Sequence, residues 1–344
     1  MNFNDRIDAA GCISLLDRQV QVDLGFIRKN AYLREGDALI VGGSLIEGIG
    51  NPNSDIDVYV LSDRLRTAGE LDIDRHFRVF SPEREILTGH DAGKAAFLIH
   101  TVLPGSKVKV DIEYRTWQDI YAIANKLNDL FHYATSALIL LTTPFDRRDL
   151  ALVHRLHNSV IDFGREQMGD LLKIVSRPKF QYLMFRWKVA DYSVLLDMQG
   201  AWMRREFIRC ADLARENMVT QFHAHTHLCG NTSYNRKWIL PYAQMHGVNP
   251  ALYDRYVALL MQGPGLVEGD LRRYIHATLD FVDEVFEANS RLLAQQPIFP
   301  SGRRAVELID AYRSDAAGDY SEDELAYCKK SYGESAAPTR AWFP

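Results

Sequence analysis

"GGSLIEGIGNPNSDIDVYVLSD", residues 42–63, sets two glycines and a serine ahead of two aspartates that are separated by a single isoleucine. On a β-strand, residues two apart point to the same side, so Asp55 and Asp57 project together while Ile56 and Val58 face a core. Two carboxylates that close repel each other unless a cation lies between them. The natural occupant is a hard divalent ion, Mg²⁺ or Mn²⁺, which takes oxygen ligands and is commonly held by one or two carboxylates plus phosphate oxygens. Gly42, Gly43 and Ser44 follow a short apolar strand, Ala38–Val41. A glycine turn there lets backbone N–H groups approach an anion, and a serine hydroxyl can donate to a phosphate oxygen. Ser54, at the other end of the same loop, is grouped with them as a ligand-binding candidate. The bland alternative is a solvated loop that enters an edge strand.

A third carboxylate in matching surroundings favours the metal reading. Asp111, in "KVKVDIEY", is flanked by Val110 and Ile112 on a strand that could lie beside the first, and Glu113 shares its face. Three acids can hold two metals about 3.5 to 4 Å apart, an arrangement that stabilises both the attacking and the leaving oxygen of a phosphoryl transfer. Competing phosphate motifs fail. No G-x-x-x-x-G-K-[ST] is present, and Gly48-Ile49-Gly50 has Asn53 where a dinucleotide fingerprint needs its third glycine. That fingerprint also needs a helix where this chain continues into a strand.

These residues resemble the nucleotidyltransferase superfamily that includes DNA polymerase beta and the aminoglycoside nucleotidyltransferases. Gly43 and Ser44 match its glycine-serine pair, ten residues intervene, Asp55 and Asp57 match its metal pair, and Asp111 matches its later strand aspartate. The match covers about residues 38 to 115. The resemblance implies transfer of a nucleoside monophosphate from a nucleoside triphosphate, by default ATP, with pyrophosphate leaving. Asp55 and Asp57 would bind both metals, Asp111 would complete the metal beside the acceptor hydroxyl, and Gly43 and Ser44 would hold the triphosphate. Asp111 or Glu113 could take the acceptor's proton, and the sequence does not choose between them.

Around this stretch the chain reads as α+β: a small mixed-sheet catalytic domain (1–120), a helical-bundle domain that selects the acceptor (121–300) and a C-terminal extension (301–344). A helical pattern is expected over Ile13 to Tyr32. "RHFRVFS", "AAFLIHTVL" and "KVKVDIEYRTW" read as strands, the last two joined as a hairpin by Pro104-Gly105-Ser106. Apolar residues then recur at spacings of three and four from Phe180 to Met198 and from Leu271 to Leu292, with a break at Gly263-Pro264-Gly265. "RAWFP" at the end could dock through Trp342 and Phe343.

At 344 residues, 47% hydrophobic and 25% charged, the composition is that of an ordinary globular protein. Its longest apolar candidate, Ala137 to Leu141, is core-sized rather than membrane-sized. The N-terminal "MNFNDRIDAAGCISLL" lacks the basic head and apolar stretch of a secretory signal, so the expectation is a cytoplasmic protein. Cys12, Cys210, Cys229 and Cys328 lie far apart, which argues against a disulfide framework. A net charge of −5 gives no global attraction to nucleic acid. The expected acceptor is therefore a small molecule. A transferase acting on tRNA or protein, a nucleotide second-messenger synthase, and a nucleotide-binding regulator without catalysis are the alternatives.

In the helical part, "GNTSYNRKWILPY" supplies Lys237, with Tyr234 beside it. The resemblance implies a cation there reaching the triphosphate, against the alternative of a solvated helix start. "HAHTHLC" gathers His223, His225, His227 and Cys229. On a helix His223 and His227 share a face while His225 points elsewhere, so surface or cleft-lining histidines are expected rather than a zinc site.

Overall fold

The computed structural model describes residues 3–17, 19–136, 145–189, 192–315, 321–334 and 337–344; the apolar run at Ala137 to Leu141 lies outside them. Contacts divide the chain into two units, residues 1–126 with 151–176 and residues 127–150 with 177–344.

The first unit opens with β1 (Cys12–Leu15) and β2 (Val20–Asp23), an antiparallel pair, followed by α1 (Leu24–Asn30). The helix expected from Ile13 is therefore a hairpin over its first half. Ile13, Leu15, Val20 and Val22 are buried and their neighbours are more exposed, which is a period of two. Leu16 and Asp17 take positive φ, 49° and 53°, which ends β1 in a turn that a helix could not contain. Next come β3 (Ala38–Gly42), α2 (Ser44–Glu47), β4 (Ile56–Ser62), β5 (Arg66–Thr67), β6 (Arg78–Phe80), β7 (Ala95–Ala96), β8 (Leu98–Val102) and β9 (Lys109–Thr116). β5 and β7 form a small separate pair.

Among the described residues the main sheet runs β10-β3-β4-β9-β8-β6, where β10 is Val160–Phe163. Every pairing in it is antiparallel except β4 with β9, which is parallel. The expected first domain thus holds five of these strands, and the sixth arrives from residues 151–176 by pairing with β3. The expected hairpin forms between β8 and β9, but "AAFLIHTVL" is divided: Ala95–Ala96 pairs with β5 in the separate small sheet. One face of the sheet is apolar: Leu39, Val41, Ile56, Val58, Val60, Ile99, Val110, Ile112 and Tyr114 pack with β1, β2 and α1. The opposite face carries Asp57, Asp111 and Glu113.

A buried ion pair closes one side of this unit. Arg66 and Asp37 are both buried and bonded to each other; Arg66 Nε also donates to Tyr32 O at 3.0 Å, and its guanidinium lies over the Tyr114 ring.

The second unit is helical. It contains α6 (Arg177–Val189), α7 (Ser193–Met203), α8 (Phe207–Cys229), α9 (Ile239–Met245), α10 (Pro250–Gln262), α11 (Glu268–Gln295), α12 (Gly302–Asp315) and α13 (Glu322–Ser331). α3 (Trp117–Ser136) and α4 (Arg147–His157) each contribute residues to both units, and α5 (Arg165–Ile174) belongs to the first. The stripe from Phe180 to Met198 is split between α6 and α7, whereas the stripe of α11 is continuous and starts beyond the Gly263-Pro264-Gly265 break. The C-terminus docks on this unit. Phe343 is buried, with its ring 5.7 Å from that of Trp202, and its carbonyl accepts from His276 Nε2 at 2.7 Å. No described helix is long and apolar enough to cross a membrane.

Asp37→Asn leaves the buried Arg66 charge without its counter-ion. It is expected to destabilise the sheet unit by about 3–5 kcal/mol, measured as a lower denaturation midpoint in urea.

Candidate active site

The parallel β4–β9 pairing places Asp57 directly beside Asp111, and the flanking ladders extend that row: Gly42 lies opposite Asp57, His100 opposite Asp111, and Arg78 opposite His100. Residues paired across a sheet share a face, so the row Gly42–Asp57–Asp111–His100–Arg78 runs across the polar side. Tyr59 and Glu113 pair in the same ladder two residues further on. Asp55 precedes β4 and is exposed; the loop before it is held by Ser54, whose N–H donates to Asn51 O and whose hydroxyl accepts from Asn51 N. The structure therefore brings Asp57, Asp111 and Glu113 to one face, with Asp55 close enough for its charge to act on Asp57 and Asp111.

The two glycines have distinct local causes. Gly42 has no side chain opposite Asp57; a Cβ there would lie 2.2 Å from Ser159 Oγ and 3.2 Å from Arg155 Cδ. Gly43 has φ 107°, and a Cβ on it would meet Asp55 O, Asp57 N and Asp57 Oδ2, each at 3.2 Å. The turn thus lies against the aspartate strand, a close approach that only glycine permits without strain. Ser44 begins the single turn of α2, and its carbonyl accepts from Ile49 N and Gly50 N, which folds the loop back on itself.

Each central aspartate already has a partner. Arg155, on α4, bonds Asp57 Oδ2 through Nη2 at 2.8 Å and Glu47 Oε1 through Nη1 at 2.5 Å. Glu47 also accepts from His154 Nε2 at 3.2 Å, and Asn158 Nδ2 donates to His154 Nδ1 at 3.1 Å, which fixes that imidazole as the Nε2–H tautomer. His100 Nδ1–H donates to Asp111 Oδ1 at 2.5 Å, with the Phe80 ring packed edge-on against the imidazole. Glu113 accepts from Arg115 Nε at 2.6 Å. Among the described residues no group of three or more His, Cys, Asp or Glu is gathered tightly enough to hold a metal as it stands.

The electrostatics record the crowding. Burial pushes the carboxyl pKa of Asp57 above the ordinary range; Arg155 opposes this, and the charges of Asp55 and Asp111 add to the rise. Burial likewise pushes Asp111 up, against the hydrogen bond from His100 and with Asp55 again contributing. The charge of Asp55 thus bears on both strand aspartates, and that of Asp111 on Asp57.

Lys237 and Tyr234 belong to the helical unit. Lys237 is exposed on a short turn capped by Asn235, with its ammonium 4.7 Å from the centre of the Trp238 ring. The histidines of α8 are buried rather than lining a surface. His223 and His227 stack at 4.7 Å, and they donate to Ser233 O and Asn231 O, bracing the loop that follows the helix. His225 bonds Asn289 Oδ1 on α11 at 2.8 Å.

Arg155, Glu47 and His100 went unnoticed in the sequence. His100 was within reach: a hairpin that pairs Val102 with Lys109 must pair His100 with Asp111. Arg155 had no such signal, because it comes from a helix about a hundred residues away.

No family model and no curated protein matches the chain. Among solved structures the chain is similar to a nucleotidyltransferase-like protein from Exiguobacterium sibiricum 255-15, with 12% identity, a TM-score of 0.39 and coverage of 80% of this chain and 79% of that one. A likeness that distant leaves the reading of the site to its own geometry.

Replacing Asp55 with Asn removes a charge that raises the pKa of both Asp57 and Asp111. In EDTA the variant is expected to melt roughly 1–2 °C above the wild type, the shift produced by a few tenths of a kcal/mol in a unit of this size. A carboxyl pKa raised in the native state means that the folded protein binds more protons than the unfolded chain between the ordinary and the raised value. That contribution to stability is lost as pH rises through the window. The gap in melting temperature should therefore widen with pH across the same window, as read by differential scanning calorimetry.

Proposed function

We propose that the sheet unit is the catalytic part of a metal-dependent nucleotidyltransferase that moves a nucleoside monophosphate, by default AMP from ATP, onto a hydroxyl of a small-molecule acceptor and releases pyrophosphate. One observation carries this reading. Asp57 and Asp111 stand side by side on adjacent parallel strands, with Asp55 close enough to raise the proton affinity of both. Buried or half-buried carboxylates that repel one another gain most from a shared cation.

The donor set fits a hard divalent ion. Asp55, Asp57 and Asp111 offer oxygen atoms alone, the chemistry of Mg²⁺ or Mn²⁺ rather than of zinc. They would hold it once Asp57 and Asp111 released Arg155 and His100. A divalent cation bound there lowers the pKa of an acceptor hydroxyl and offsets the charge of the leaving pyrophosphate.

The chain's own residues supply the rest. Gly42, Gly43 and Ser44 form the turn pressed against Asp57, and in this reading the triphosphate lies along that turn. Asp111 or Glu113 would take the acceptor's proton once released from its present donor, His100 on Asp111 or Arg115 on Glu113. The apolar underside of the sheet keeps the row of acids in place while ligands exchange above it.

A second reading has its own observation. Arg155 and His100 occupy Asp57 and Asp111, as would suit a nucleotide-binding regulator with no catalytic step. Titrating each of the four nucleoside triphosphates calorimetrically, with and without Mg²⁺, tests both. The transferase reading predicts that one triphosphate binds in a Mg²⁺-dependent manner and that Asp55→Asn/Asp57→Asn weakens it at least about a hundredfold, roughly 2.7 kcal/mol. Binding that ignores both Mg²⁺ and the double substitution favours the regulator, and no binding of any triphosphate contradicts both readings.

A further inference from the structure

Asp57 is the central acid of the row, and its partner is a guanidinium rather than a metal. Arg155 spans two carboxylates with the two ends of its fork, Nη2 on Asp57 and Nη1 on Glu47. The two contacts are unequal in their surroundings. The Glu47 side chain is 1% exposed and Asp57 is 25% exposed, so water and dissolved ions reach the Asp57 end while the Glu47 end is shielded. Shielding strengthens the second contact relative to the first, because an ion pair weakens as the surrounding dielectric rises.

Other contacts hold the arm where it is. Glu47 is further fixed by His154, itself oriented by Asn158, and the stem of Arg155 runs beside Gly42 in space that a larger residue would fill. Arg155 is thus anchored at its buried end and exchangeable at the end that touches the acidic row.

We propose that Arg155 is an internal counter-cation that occupies Asp57 in place of a divalent ion, and that Glu47 retains the arginine when a divalent ion takes Asp57. This rests on the reading of Asp57 as a metal ligand. Arg155 is then a positioning residue. It holds Asp57 at the row while no metal is bound, and it sets the concentration of free divalent ion at which the row loads, because each ion must displace a charge-assisted hydrogen bond.

The test is Mn²⁺ binding to the full chain without nucleotide, followed by electron paramagnetic resonance of the free ion, for wild type, Arg155→Gln, Arg155→Lys and Asp57→Asn. A merely structural role predicts weaker binding when Arg155 is lost, and competition predicts the opposite sign. Arg155→Gln is expected to bind Mn²⁺ about tenfold more tightly than wild type, since displacing one charge-assisted hydrogen bond is worth roughly a factor of ten. Arg155→Lys keeps a cation for Glu47 but cannot bridge two carboxylates with a planar fork, so it should bind more tightly by a smaller factor. It also carries the test if circular dichroism shows the Gln variant to be misfolded. Affinity equal to or weaker than wild type in a folded Arg155 variant overturns the proposal, while loss of binding in Asp57→Asn leaves the metal reading intact. If Asp57→Asn binds Mn²⁺ as wild type does, the metal reading falls and the proposal with it.

Discussion

The in-register parallel pairing of β4 with β9 is the constraint on which the rest of the site depends. It sets Ile56 beside Val110, Asp57 beside Asp111 and Val58 beside Ile112, so alternate residues of both strands go to opposite faces together. A slip of one residue in either strand would turn its aspartate into the apolar core and its valines or isoleucines into the acidic row. Burying each such aliphatic side chain contributes about 1.5–3 kcal/mol, and several do so on each strand. The site's geometry is therefore held by hydrophobic packing on the far side of the sheet. The row of acids is thereby kept together in spite of its own repulsion.

That repulsion shapes the neighbourhood. The charge of Asp55 works against ionisation of both Asp57 and Asp111, and the chain places its own donors on the acids of the sheet: Arg155 on Asp57, His100 on Asp111, Arg115 on Glu113. Glu47 has no place in the row, yet it is buried behind it and holds Arg155 and His154. Function and stability meet at these contacts. In the proposed reading, the groups that steady the acids are the ones a metal ion would displace.

Much of this was legible in the sequence. The D-x-D stretch, the glycine turn and the hairpin that carries Asp111 each have local signatures, namely strict alternation or a Pro-Gly turn, and those elements appear where the pattern put them. Local pattern failed where tertiary context decided. Ile13, Leu15, Val20 and Val22 recur in pairs two apart, which is strand spacing that the helical expectation over Ile13 to Tyr32 passed over, and the left-handed turn at Leu16 and Asp17 excludes a continuous helix there. β10 joins the sheet from about a hundred residues beyond β4, and Arg155 arrives on the helix before it. No periodicity within either segment announces the partner it will meet. The α8 histidines misled for a related reason, since their spacing gives the face they occupy but not whether that face is buried.

The most direct test of the central claim is a crystal structure of the protein with Mn²⁺ and a non-hydrolysable nucleoside triphosphate, with the metal located by its anomalous scattering. The expected result is an anomalous peak bonded to Asp57 and to at least one of Asp55 and Asp111, with the triphosphate along residues 42–44 and Arg155 no longer on Asp57. A peak elsewhere, or a nucleotide bound while Arg155 and His100 still hold both aspartates, would contradict it.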